Sequence, residues 1–63
     1  MEKKIIGYDV MRDEGHSRPV HTAKSLETAR RLKKELRERG HDAFILRIYE
    51  DPETGFTYEE VVR

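Results

Sequence analysis

The stretch EDPETGFTYEE, residues 50–60, decides the fold, because it has the composition of a tight turn between two extended segments. Asp51 and Pro52 suit the first two positions of a type I turn. Gly55 supplies the positive φ that closes such a turn. The stretch therefore predicts a β-hairpin at the C-terminal end of the sequence.

Two strands flank this turn. The segment before it, residues 43–50, is the most apolar of the chain and is predicted to be a central strand, and residues 56–62 form its partner. Pairing of Glu50 with Phe56 sets the expected register. Two further cross-strand pairs then follow, namely Arg47 with Glu59 and Ile45 with Val61.

The upstream half of the chain predicts a second, weaker hairpin. Residues 4–12 alternate between apolar and polar side chains as a strand does, and residues 17–23 form a shorter strand. Asp13, Glu14 and Gly15 make the turn between them. Pro19 cannot donate to a ladder, so the second strand is expected at a sheet edge.

A helix connects the two hairpins. Ser25 is a good N-cap, and Glu27 lies in the first turn, where a carboxylate interacts favourably with the helix dipole. Gly40 suits the position just after the C-terminal end of the helix. Its apolar stripe consists of Leu26, Ala29, Leu32 and Leu36.

These elements predict one domain over residues 1–63, a two-layer α+β fold of ββαββ order. A strand order of 2-1-3-4 puts the proline-bearing strand outside and gives a right-handed crossover. The face expected under the helix carries Ile6, Tyr8, Val10, Val20, Phe44, Leu46, Ile48, Tyr58 and Val62. The opposite face is expected to carry Ile5, Met11, Ile45, Arg47, Tyr49, Glu59 and Val61.

Composition narrows the function classes. Lys+Arg and Asp+Glu stand at 13 each, a balance that argues against a dedicated polyanion binder. No apolar run approaches the length of a membrane span, and the N-terminus lacks the features of a signal peptide, which favours a cytoplasmic protein. Asn, Gln, Cys and Trp are all missing, as heat selection or idealised design would produce, and we expect a thermostable chain.

No constellation of residues predicts catalysis. His16 and His21 match no metal-ligand spacing, and Ser17 and Ser25 have ordinary roles as a turn residue and a helix cap. The glycines are isolated, so a phosphate-binding loop is missing. We therefore expect a protein that is not an enzyme and that has no catalytic residue, cofactor or metal site.

The face opposite the helix predicts an interaction surface. One helix covers one side of a sheet, and a contiguous apolar band on the other side marks a partner surface. A chain of this length has a small hydrophobic core, so burying the apolar band against a partner would add to its stability. A homodimer is therefore the leading interpretation, with another protein as the alternative partner.

The helix carries a basic patch that supports an alternative function, a small nucleic-acid-binding domain. The patch consists of Arg30, Lys33, Lys34 and Arg37, which crowd into one arc of the helix. Phosphates could bind there. Without aromatic residues among the basic ones, however, bases have no platform for stacking, and a solvated helix face is favoured.

The helix RRLKKELRERG and the turn DPETG resemble the sequences of idealised small α+β proteins, either computationally designed or thermophilic. This resemblance covers residues 25–63 and is one of style, without a natural family behind it. The resemblance implies a stable scaffold. If the protein is a designed one, it implies a scaffold without a native function. Residues 11–21, MRDEGHSRPVH, depart from the idealised pattern and are the segment where a retained specific site is expected.

Overall fold

The computed structural model describes residues 3–13 and 18–62. Four strands and one helix follow the predicted order along the chain. They are β1 (Lys4–Arg12), β2 (His21–Ala23), α1 (Leu26–Glu38), β3 (Ala43–Glu50) and β4 (Thr57–Val62). The strands pair antiparallel in the order β2-β1-β3-β4, which confirms the predicted two-layer α+β fold.

Strand β2 is the short edge of the sheet. It has three residues instead of the seven expected, and Pro19 precedes it. Val20 still donates its backbone N–H to Val10 at 2.9 Å, so pairing with β1 begins just before the strand. The edge position is the one predicted from Pro19. The predicted turn at Gly15, together with His16 and Ser17, lies outside the described residues.

The ends of α1 follow their capping residues. The Ser25 hydroxyl accepts the backbone N–H of Thr28 at 3.2 Å, as an N-cap does. At the other end Gly40 has φ +88°, and the N–H of His41 reaches the carbonyl of Leu36 at 3.0 Å. This left-handed cap satisfies the last carbonyls and turns the chain into β3.

The core lies between α1 and the two central strands. Val10, Ala29, Leu36 and Ile45 are buried and in contact with one another. Partly buried side chains surround them, namely Tyr8, Ala23, Leu26, Leu32, Ala43 and Val62. The buried set is small, as expected of so short a chain.

The C-terminal hairpin differs from its predicted register by one residue. Asp51 and Phe56 close the loop, with the N–H of Asp51 donating to the carbonyl of Phe56 at 2.9 Å. The Asp51 carboxylate also accepts the N–H of Glu53 at 2.9 Å, which tightens the loop. Gly55 takes its predicted positive φ, +77°. Glu50 consequently pairs with Thr57, so the predicted pairing with Phe56 is wrong.

This one-residue difference reverses the faces of β3 relative to β4. The structure pairs Arg47 with Glu60 and Ile45 with Val62, where Glu59 and Val61 were expected. Because side chains alternate along a strand, a shift of one residue exchanges the two faces. The side chains Phe44, Leu46 and Ile48 therefore share the face of Val61, away from the helix, and their predicted place under α1 is wrong.

Strand β1 contains a bulge near its start. Ile5 pairs with Tyr49 and Gly7 with Ile48, so Ile6 is the extra residue between them. The bulge moves Ile5 to the helix side of the sheet. Ile6 is 46% exposed and does not join the core, so its predicted place under the helix is wrong.

Candidate interaction surfaces

The side of the sheet away from α1 carries a continuous apolar band. Met11 pairs with Phe44 across β1 and β3, and Leu46 pairs with Val61 across β3 and β4. Ile48 continues the band along β3. We call the surface formed by Met11, Phe44, Leu46, Ile48 and Val61 the open face. Paired residues of an antiparallel ladder lie on the same side, so these five side chains are neighbours.

The open face is reached by solvent and has a polar border. Val61 is 49% exposed, and Phe44, Leu46 and Ile48 are each partly exposed. Asp9 and Thr22 lie beside the band on one flank and Glu59 on the other. An apolar centre with a polar rim is the composition of a protein interface.

A shallow depression of about 440 Å³ adjoins the band at the β1 bulge. Its lining includes Ile6, Gly7, Asp9, Thr22, Lys24 and Ile48. Gly7 contributes to this shape, since a Cβ there would lie 3.3 Å from the carbonyl oxygen of Ala23. The open face is thus a band with an adjoining hollow.

Three of the seven predicted interface residues lie on the side of the sheet away from α1. Met11, Glu59 and Val61 take their expected side, although Met11 is only 7% exposed. The predicted interface role of Ile45 is wrong, because Ile45 is 2% exposed and packs in the core under α1.

Ile5, Arg47 and Tyr49 also lie on the helix side, against expectation. Arg47 pairs with Tyr8 and Glu60, and Ile5 pairs with Tyr49, so the ladder fixes their side. Sequence reasoning missed Phe44, Leu46 and Ile48 as open-face residues. The signal that could have found them is the turn, which fits a four-residue loop over residues 52–55.

Arg47 is held in a polar network on the helix side. Its Nη1 donates to Glu60 Oε1 at 3.1 Å and to the Tyr49 hydroxyl at 3.4 Å, and Tyr49 donates to the same Oε1 at 3.1 Å. The guanidinium also lies 5.8 Å from the centre of the Tyr8 ring. The hydrogen bond to Tyr49 is the main cause that raises the pKa of Arg47 above its ordinary value. Arg47 therefore links β3 to β4 on the helix side of the sheet through Glu60.

The predicted basic patch is a real cluster in space. Arg30, Lys33, Lys34 and Arg37 together line one surface depression of about 520 Å³, with Glu38 as the acidic member. They lie at i, i+3, i+4 and i+7, which brings them onto one helix face. The cluster can offer several cationic groups to one anionic ligand.

The described residues contain neither a cluster of three potential metal ligands nor a helix that could span a membrane. In residues 3–13 and 18–62, no three His, Asp or Glu side chains gather as ligands for a cation. Over the same residues, no helix has the length and apolar character that crossing a bilayer requires. The sequence and fold match no protein-family model, no curated protein and no solved structure.

Proposed function

We propose that this protein is a non-enzymatic protein-interaction module that self-associates through the open face. One observation carries the proposal: within residues 3–13 and 18–62, no helix covers the more apolar side of β3, the most apolar strand. Phe44, Leu46 and Ile48 lie there, whereas the covered side carries Ile45, Arg47 and Tyr49. Uncovered apolar side chains in a row favour burial against a partner.

The sheet suits a face-to-face dimer of two copies. The open face lies on the broad side of a sheet whose two central strands, β1 and β3, have nine and eight residues. A contact narrower than this side would leave part of the band exposed. A two-fold arrangement would cover the bands of both copies at once, since each offers the same surface.

Two matched variants test this proposal. Val61 is 49% exposed on the open face, and Ile5 is 47% exposed on the helix side, so both accept a lysine at little cost to the monomer. We expect sedimentation equilibrium to show a dimer for the unmodified chain and for Ile5→Lys. Val61→Lys should be a monomer at the same concentration.

Equal effects of the two substitutions would contradict the role of the open face, as would a monomeric unmodified chain at millimolar concentration. Thermal denaturation of each variant at micromolar concentration checks that the monomers are equally stable. A loss of association without a loss of monomer stability is the result that the proposal requires.

The basic patch supports a second candidate function, binding of single- or double-stranded nucleic acid. The supporting observation is that its four cations line one common depression. Affinity should fall steeply with salt because bound phosphates release counterions. We expect Lys34→Glu with Arg37→Glu to weaken binding and to reduce the salt slope by about 2. Arg31→Glu with Arg39→Glu is the control of equal net charge outside the patch.

Gel-shift titrations at low salt with mixed-sequence DNA and RNA are the measurement. No shift with either polymer would rule out this candidate. Equal weakening of binding by the two double variants would also contradict it, because the patch would then contribute no more to binding than basic residues elsewhere on the helix.

A further inference from the structure

The outer edge of β4 is the longer free edge of the sheet. The described residues place β2 at one edge with three residues and β4 at the other with six. Proline lies beside β2 but is missing from Thr57–Val62. A free edge presents unpaired backbone N–H and C=O groups that can accept a further strand.

The register identifies which backbone groups point outward. The N–H of Asp51 donates to the carbonyl of Phe56 just beyond the β3–β4 ladder, so the first pair of the ladder, Glu50 and Thr57, occupies a non-hydrogen-bonded position. Hydrogen-bonded and non-hydrogen-bonded pairs alternate along antiparallel strands. The backbone groups of Thr57, Glu59 and Val61 therefore face away from β3, toward whatever lies at the edge.

The charges of β4 disfavour a second copy at this edge. A two-fold antiparallel pairing that uses residues 57–61 puts Glu59 opposite its own copy, and one that uses residues 58–62 puts Glu60 opposite its own copy. These are the two registers that engage five of the six residues. Like charges placed directly opposite each other destabilise a sheet.

The same charges favour a basic partner. Within the described part of the chain, the side chain of Glu59 has neither a hydrogen bond nor an ion pair, whereas that of Glu60 is held by Arg47 at 3.1 Å. Asp51 and Glu53, in the adjoining loop, add two more acids at the same end of the hairpin. Lys or Arg residues opposite Glu59 and Glu60 would complete cross-strand ion pairs on the two sides of the sheet.

We propose that the outer edge of β4 binds an extended basic segment of another protein by antiparallel strand addition. Backbone hydrogen bonds to Thr57, Glu59 and Val61 supply the attachment. The carboxylate of Glu59 selects the charge of the partner. This site is independent of the open face, because it uses the rim of the sheet and not its broad side.

The probe is a blocked six-residue peptide of threonine and valine with two lysines at its centre, and its twin has two glutamates there. Each is titrated into the ¹⁵N-labelled chain and followed by residue-specific amide shifts. We expect the lysine peptide to shift and protect the amides of Thr57, Glu59 and Val61. It should bind about tenfold more tightly than its twin, from two favourable pairs against two unfavourable ones.

Two variants make the test specific to the edge. Val61→Pro removes one outward N–H without removing a bond to β3, because proline is tolerated where the N–H faces away from the ladder. Val61→Pro should strongly weaken binding of the lysine peptide. Glu59→Lys should bring the ratio of the two affinities toward one, and it keeps the test valid if the proline variant does not fold.

Several results would overturn the proposal. These are no response to the lysine peptide at millimolar concentration, equal binding of both peptides, shifts confined to other amides, or unchanged binding by Val61→Pro. Concentration-dependent protection of the β4 amides without peptide would also overturn it, since a second copy would then be the occupant. Repeating the titration on Leu46→Lys separates this site from the open face, and we expect the peptide response to persist there.

Discussion

Ile45 and Leu46 are neighbours in β3 that point to opposite sides of the sheet, and truncating each to alanine tests the assignment of the two faces. Ile45 is 2% exposed and belongs to the core, whereas Leu46 is partly exposed on the open face. Ile→Ala in a core typically costs about 2–5 kcal/mol, from lost transfer energy and the cavity left behind. Leu46→Ala removes a side chain that is already partly hydrated and should cost about 1 kcal/mol.

This difference is large for so small a domain. Stability of about 0.05–0.15 kcal/mol per residue gives roughly 3–9 kcal/mol for the whole chain, so Ile45→Ala removes a large share of it. The expected drop in Tm is at least about 8 °C for Ile45→Ala and about half of that for Leu46→Ala.

Urea denaturation followed by circular dichroism gives the free energy of unfolding of both variants, and a thermal melt gives their Tm. The measurement must be run at micromolar protein, where we expect a monomer, so that lost association does not add to the effect of Leu46→Ala. If Leu46→Ala costs the monomer as much as Ile45→Ala, the two faces of β3 are assigned the wrong way round.

Other expectations concern the turn, the helix cap and heat. Gly55→Val should destabilise by about 1–3 kcal/mol, because φ is +77° there, while Gly55→Asn should be tolerated better; equal stability of the two in urea would contradict the turn. Ser25→Ala should cost about 1 kcal/mol by loss of the cap to Thr28, and an unchanged urea midpoint would show that the cap contributes nothing. The unmodified chain should melt cooperatively above the range of about 45–65 °C typical of mesophile domains, as calorimetry can check.

The elements of the fold could be predicted because local signals agreed with one another. Ser25 and Gly40 mark the ends of the helix, and Pro19 marks the edge strand. Strong local signals of this kind need no knowledge of distant contacts. The strand order followed from Pro19, which puts its strand at an edge, and from the apolar character of strands 1 and 3, which puts them in the middle.

The faces of β3 could not be predicted in the same way. Its sequence AFILRIYE has apolar side chains at both the odd and the even positions, so the alternation does not show which set faces the helix. The choice depends on the pairing register, and the loop closes on Asp51 and Phe56 instead of on Glu50 and Phe56. In β4, by contrast, Glu59 and Val61 were placed on the correct face.

The bulge in β1 was the second missed feature. Ile5 and Ile6 are chemically identical, so their sequence does not say which one is the extra residue. Gly7 was the one hint, since an isolated glycine within a strand often marks a bulge. The sequence therefore predicted that the side of the sheet away from the helix is the candidate surface, but it identified only some of the residues that lie there.

Intermolecular NOEs test the central claim, self-association through the open face, most directly. A mixed sample of ¹³C-labelled and unlabelled chain reports only contacts between copies. We predict such contacts from the side chains of Phe44, Leu46, Ile48 and Val61 to the same set in the partner copy. Contacts confined to α1 or to Ile5, or an absence of contacts between copies at millimolar concentration, would contradict the claim.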